Sequence, residues 1–143
     1  MEVMGESAAK VRVRDYMATH PQVLGRNDTL DLAEDIMNMG RIRHLPVLDE
    51  GELVGIISQR DMFRSAAVTA LGFAADTQKA LVKTIRVKDI MTEKVVTIAP
   101  DATVKEAARI MIEKKIGCLP VLENVKLLGI ITETDILRYV LDQ

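Results

Sequence analysis

The chain has 143 residues, 48% hydrophobic and 28% charged, a composition that supports a folded core and excludes a disordered or low-complexity chain. Its 19 basic and 21 acidic side chains leave a formal net charge of -2, so no global basic field marks nucleic acid as a main partner. The single cysteine, Cys118, excludes an internal disulfide and a cysteine-rich zinc site, and fits a reducing cytoplasm.

In chain order, Met1 to Glu6 lack the basic start and apolar run of a signal peptide. No apolar run approaches the roughly 20 residues of a membrane-spanning helix, so a cytoplasmic chain without a membrane span is expected. Val13-Arg14-Asp15-Tyr16-Met17 reads as a short helical turn, and Gln22 to Leu24 as a brief strand. An amphipathic helix follows from about Thr29 to Met39, with Leu32, Ile36 and Met39 expected on its inner face. Asp28 or Thr29 suits its N-cap and Gly40 its C-terminal end. Two strands, His44 to Leu48 and Leu53 to Ser58, flank the turn signal Asp49-Glu50-Gly51. A further helix opens at Ser58; Ala66 to Leu71 can extend it and Gly72 can end it. A connector helix is expected from Asp76 or Thr77 to Val82.

The same order then returns without a gap. Val13 to Met17 recurs as Val87-Lys88-Asp89-Ile90-Met91, and His44-Leu45-Pro46-Val47-Leu48 as Cys118-Leu119-Pro120-Val121-Leu122. Leu53 to Ser58 recurs as Leu127-Leu128-Gly129-Ile130-Ile131-Thr132, Asp61 as Asp135 and Arg64 as Arg138. Register held through glycine, proline and aspartate together marks a duplication. The second copy has its brief strand at Val95 to Ile98, and a capping box at Thr103 and Glu106 opens its first helix. The expected boundaries are 9–68 for repeat one, 69–83 for a helical connector and 84–143 for repeat two. Each repeat reads as β-α-β-β-α, an α+β class. Neither can cover its sheet alone at about 60 residues, so packing of sheet against sheet about a pseudo-twofold axis is expected.

The residues that can carry chemistry sit where a strand enters a helix. Ser58-x-x-Asp61 and Thr132-x-x-Asp135 each have the form of a helix N-cap box, which requires no ligand. The same physics also suits one. A helix N-terminus offers free N–H groups and partial positive charge to a phosphate, the hydroxyl adds a donor, and a carboxylate one turn in accepts from ribose hydroxyls. Arg41 and Arg60 either add charge or are solvated surface. His44 reads as a phosphate partner or a half-buried structural histidine, and His20 as a polar loop residue. Cys118 reads as a small residue at a buried edge, the methionines as core filler and Lys114-Lys115 as solvated helix surface. No nucleophile–base constellation, metal-ligand cluster or phosphate-binding glycine loop is present, so neither catalysis nor a catalytic cofactor is expected.

Gly55-Ile56-Ile57-Ser58-x-x-Asp61 and Gly129-Ile130-Ile131-Thr132-x-x-Asp135, the Leu45-Pro46-Val47 and Leu119-Pro120-Val121 cores, and the run from Asp101 to Ala107 together resemble the CBS domain family. The resemblance covers about Arg12 to Leu141 and matches the stand-alone paired (Bateman) type. It implies a sensor that binds AMP, ADP or ATP, with magnesium accompanying ATP, in clefts between the repeats. It also implies a homodimer acting on a regulated protein that the sequence does not name. One site would combine Ser58 and Asp61 with Thr92, Thr97, Gly117, Cys118 and Pro120. The other would combine Thr132 and Asp135 with Ala18, Val23, Arg43, His44 and Pro46. Ile57 and Ile131 would help read the adenine. Arg43 and His44 face phosphates on this reading, whereas Gly117 and Cys118 bring no charge. The helices after Asp61 and Asp135, with Met62, Phe63, Ile136 and Leu137, are the implied dimer seam. Alternatives are a ligand-free interaction module and a binder of another adenosine derivative such as S-adenosylmethionine.

Overall fold

Residues 11–70, 80 and 82–143 are described by the computed structural model. The expected helix end at Gly72 and the start of the connector helix at Asp76 or Thr77 lie outside them. The elements are α1 (Val13–Tyr16), β1 (Ala18–Thr19), β2 (Leu24–Gly25), α2 (Leu30–Gly40), β3 (His44–Asp49), β4 (Glu52–Ser58), α3 (Gln59–Ala70), a 3-10 turn (Val87–Asp89), α4 (Val104–Lys114), β5 (Cys118–Glu123), β6 (Lys126–Thr132) and α5 (Glu133–Leu141). The class is α+β, as expected.

These elements fall into two compact units. A split unit comprises the described residues up to Pro21 together with Val96–Gln143, and a continuous unit comprises those within Gln22–Val95. Each repeat therefore gives its leading segment to the unit built on the body of the other. In the split unit, Val13 N–H donates to Ala102 O at 2.8 Å and Val104 N–H to Val11 O at 3.0 Å. The sheet order there is β1-β6-β5, with Ala18 opposite Ile130. In the continuous unit, Val87 N–H donates to Asp28 O at 2.8 Å and Leu30 N–H to Ile85 O at 3.0 Å. Its sheet order is β2-β3-β4, with Thr92 bridging Ile56 at the edge of β4.

Both hairpins pair in the same register, Leu45 opposite Ile57 and Leu119 opposite Ile131, and both carry a bulge after the Leu-Pro-Val run. The first turns through Glu50 (φ 50) and Gly51 (φ 82), left-handed conformations that glycine adopts without strain. Alternation along the strands then separates core from surface. Leu45, Val47 and Ile57 are fully buried in one core with Leu24, Leu30, Ala33, Met37 and Val87. Leu119, Val121 and Ile131 occupy the matching places in the other, with Val13, Ala107 and Met111.

Several expectations are corrected. The inner face of α2 is Leu30, Ala33 and Met37, with Ile36 half-buried, while Leu32 and Met39 are exposed. The segment carries two apolar stripes, and the one containing small Ala33 lets the helix approach its sheet. The last residue of α2 is Gly40, as expected, but the left-handed cap that follows it is Arg41 (φ 51), and α4 is capped likewise by Lys115 (φ 56). Thr29 is the N-cap of α2, but its hydroxyl donates to Asp31 instead of capping the backbone. That bond, more than any other influence, lowers the Asp31 pKa. Asp28 instead accepts from Gly25 N–H at 2.7 Å. The first brief strand is Leu24–Gly25, paired parallel to β3. Of Val95 to Ile98, only Ile98 pairs, in an isolated parallel bridge to Val121. The expected capping box of α4 is present: Thr103 Oγ1 accepts from Glu106 N–H at 3.0 Å, and Glu106 accepts from Thr103 N–H at 3.2 Å.

Candidate functional site

The strand-to-helix junctions form as capping chemistry requires. Ser58 Oγ accepts from Asp61 N–H at 3.0 Å, and Asp61 Oδ2 accepts from Ser58 N–H at 3.0 Å. One carboxylate oxygen thus fixes the helix entry, while Oδ1 accepts no hydrogen bond among the described residues. Asp61 is half-buried, so this oxygen is within reach of a ligand.

The second junction is tighter. Asp135 is 5% exposed and is the buried charged side chain of the described residues. Its Oδ2 accepts from Thr132 N–H at 2.9 Å and from the Thr132 hydroxyl at 3.3 Å, and its Oδ1 accepts from Arg138 at 3.2 Å. Burying a carboxylate is costly unless it is paired and hydrogen-bonded, and here both conditions hold. A ribose arriving at Asp135 competes with these partners; at Asp61 it meets an unused oxygen.

Each junction carries an added piece of backbone. Thr92 exchanges hydrogen bonds with Ile56, its N–H reaching Ile56 O at 2.9 Å and the Ile56 N–H reaching Thr92 O at 3.0 Å. Ala18 faces Ile130 in the same way. This closeness explains the glycine that opens each motif. A Cβ on Gly129 would lie 2.5 Å from Ala18 O, and one on Gly55 would lie 2.5 Å from Met91 Sδ and 3.1 Å from Thr92 O.

The structure therefore brings Thr92 into the unit of Ser58 and Asp61, and Ala18 into the unit of Thr132 and Asp135. Thr97, Gly117, Cys118 and Pro120 belong to the split unit, and Val23, Arg43, His44 and Pro46 to the continuous unit. Ile57 and Ile131 are 0% exposed within the two cores. Strand parity turns the adjacent Ile56 and Ile130 to the opposite face. Pro46, Pro120 and Cys118 are also buried. Burial, with a smaller contribution from Asp135, pushes the Cys118 thiol pKa far up, which argues against the redox reading.

A cavity of about 330 Å³ lies in the continuous unit, lined by Met37, Asn38, Arg41, Ile42, Arg43 and Gln59. Its lining includes two arginines and two amide residues. Met37, Asn38, Ile42 and Gln59 were missed by sequence reasoning. The available signal was the pairing of His44 with Ser58, which sets Gln59 beside Arg43; Gln59 N–H donates to Arg43 O at 2.7 Å. Among the described residues no group of three or more His, Cys, Asp or Glu side chains could hold a metal ion. No described helix is long and apolar enough to cross a membrane.

The profile of the CBS domain family matches residues 13–67 and again 87–142. Protein MJ1225 of Methanocaldococcus jannaschii is 36% identical over 130 residues; the match covers 89% of this chain and 46% of that protein, so the chain spans about half its length. Two similar solved structures are complexes with adenosine compounds. The CBS domain pair of protein MJ0100, in complex with 5′-methylthioadenosine and S-adenosyl-L-methionine, superposes with a TM-score of 0.77 at 27% identity, covering 92% of this chain and 97% of that one. CBSX2 in complex with AMP superposes with a TM-score of 0.75 at 28% identity, again covering 92% and 97%.

Proposed function

The chain belongs to the CBS domain family as a pair of CBS domains, and from that premise we propose that it is a non-catalytic regulatory module that binds an adenosine compound, AMP, ADP or ATP foremost. One observation carries this reading. Each strand-to-helix junction brings a carboxylate and a hydroxyl together at a helix N-terminus, at Ser58 and Asp61 and again at Thr132 and Asp135. A ribose needs acceptors for two hydroxyls, and a phosphate needs N–H donors at a helix N-terminus. The AMP complex of CBSX2 supports the nucleotide. The ligands of the MJ0100 pair support S-adenosylmethionine and 5′-methylthioadenosine as the second reading.

Arg43 and His44 are assigned to the phosphate end, supported by the cavity that Arg41, Arg43 and Gln59 share. Magnesium enters this proposal only with the phosphates of ATP. A cytoplasmic homodimer is part of the same reading, supported by Phe63 on α3 and Leu137 on α5, which are 74% and 64% exposed. Met62 and Ile136, expected beside them, pack instead against the two cores.

Thermal-shift measurement with adenosine, AMP, ADP, ATP and S-adenosylmethionine tests the function. A ligand at 100 times its dissociation constant adds about 2.7 kcal/mol of stability. No shift with any of them, and no saturable heat by calorimetry, leaves the ligand-free interaction module as the surviving reading. Asp61→Ala and Asp135→Ala are each expected to cost about 1.5–3 kcal/mol of binding. Unchanged affinity in both variants would remove the carboxylates from the site.

A further inference from the structure

The duplication makes the cavity wall of the continuous unit comparable, residue by residue, with its counterpart in the split unit. Arg41 corresponds to Lys115, Arg43 to Gly117 and Gln59 to Glu133. The backbone frame is the same in both: Gln59 N–H donates to Arg43 O at 2.7 Å, and Glu133 N–H donates to Gly117 O at 3.1 Å. Arg41 and Lys115 both end their helices in the left-handed region, so these two positive charges leave the backbone alike. The difference lies in the other pair. An arginine beside a neutral amide in the first copy becomes a bare glycine beside a carboxylate in the second.

The side chain of Glu133 does not extend away from this surface. It folds over Gly117, so that a Cβ placed there would lie 2.6 Å from Oε1 and 3.2 Å from Cδ. The carboxylate thus occupies the space where the side chain of Arg43 begins in the first copy. Two guanidinium groups in one unit are matched in the other by one ammonium and one carboxylate.

We propose that Glu133 sets ligand choice in the split unit, turning phosphates away and favouring an adenosine compound whose 5′ substituent is neutral or cationic. This rests on the adenosine-binding reading above. A phosphate reaching the Gly117 surface meets the Glu133 carboxylate, with the Lys115 ammonium but no guanidinium to offset it. A hydroxyl, thioether, ammonium or sulfonium group suffers no such repulsion, and a cation is attracted. Gly117 contributes by leaving room for the carboxylate.

The test is calorimetric titration of adenosine, AMP and 5′-amino-5′-deoxyadenosine, which differ at one substituent and carry neutral, negative and positive charge there. The proteins are the parent, Glu133→Gln, which installs the residue of the first copy, and Gln59→Glu, which makes the reciprocal change. In Glu133→Gln the weaker AMP-binding step is expected to tighten roughly three- to tenfold relative to adenosine, the effect of one charge acting through partly solvated space. The amino compound weakens by a similar factor, and both changes shrink at high salt. Gln59→Glu is expected to weaken AMP relative to adenosine. Equal changes for all three ligands would show a purely structural role and overturn the proposal, as would an unchanged ratio of AMP to adenosine affinity. If no adenosine compound binds the parent, the functional reading falls together with this one. If they bind and the ratio does not move, only the role of Glu133 falls.

Discussion

Gly129 shows how much one missing side chain decides. The carbonyl of Ala18 lies 2.5 Å from where its Cβ would be, and that carbonyl belongs to a strand paired with β6. Gly129→Ala is expected to destabilise the protein by about 1–3 kcal/mol, the cost of overpacking a close contact, measured by denaturant unfolding. A change below about 0.5 kcal/mol would mean that β1 is not held against β6. Cys118 gives a pH prediction. Its pKa is raised above the ordinary thiol value of 9.0, so the folded state holds the proton that the unfolded state releases. Stability from this residue is intact below that value and falls as pH rises beyond it. Iodoacetamide should therefore leave native Cys118 unmodified at pH 9 and label it in denaturant, and rapid native labelling would contradict its burial.

Among the elements, the helices show what local pattern can and cannot decide. The box at Thr103 and Glu106 was legible because both partners lie within one turn. The buried stripe of α2 was not, since Leu30–Ala33–Met37 and Leu32–Ile36–Met39 both fit helical spacing and only packing chooses between them. In the strands, alternation puts Ile57 and Ile131 inside the two cores, a placement that the runs Ile56-Ile57 and Ile130-Ile131 do not reveal because both members are equally apolar. Gly40, the habitual stop, is the last residue of α2, but it is Arg41, and Lys115 after α4, that takes the left-handed conformation. That conformation strains a residue with a Cβ. Lys115→Gly is expected to raise stability by about 1 kcal/mol, or Tm by about 3 °C. A lower Tm would mean that the Lys115 side chain makes a compensating contact.

At the scale of the whole molecule, the duplication and its α+β class were legible from register alone, and the carboxylates of the candidate site from their place in the caps. The giving of α1 and β1 to one unit and of the Val87–Met91 segment to the other was not. The two leading segments have nearly the same sequence, so local chemistry does not say which body receives which. Side chains that differ between the two segments mark the pairing that forms: Arg14, where the second copy has Lys88, meets Asp101 at 2.6 Å, and the hydroxyl of Tyr16, where the second copy has Ile90, donates to Asp142 at 2.6 Å.

This exchange implies that the two halves of this chain are not two separately foldable parts. A polypeptide ending near residue 75 would hold most of one unit and only the opening of the other; a polypeptide beginning there would have the converse deficit. Each would expose the edge that its absent segment covers, Ile130 in one case and Ile56 in the other. Supplied together, the fragments have what the other lacks, and neither is complete in either unit. Fragments 1–75 and 76–143 are therefore expected to fold and co-purify when co-expressed, and to aggregate when expressed singly. A soluble, cooperatively melting single fragment would show that the leading segment is dispensable. If the co-expressed fragments assemble, the connection between the repeats is a covalent convenience, and the exchanged segments are what make the two copies one protein.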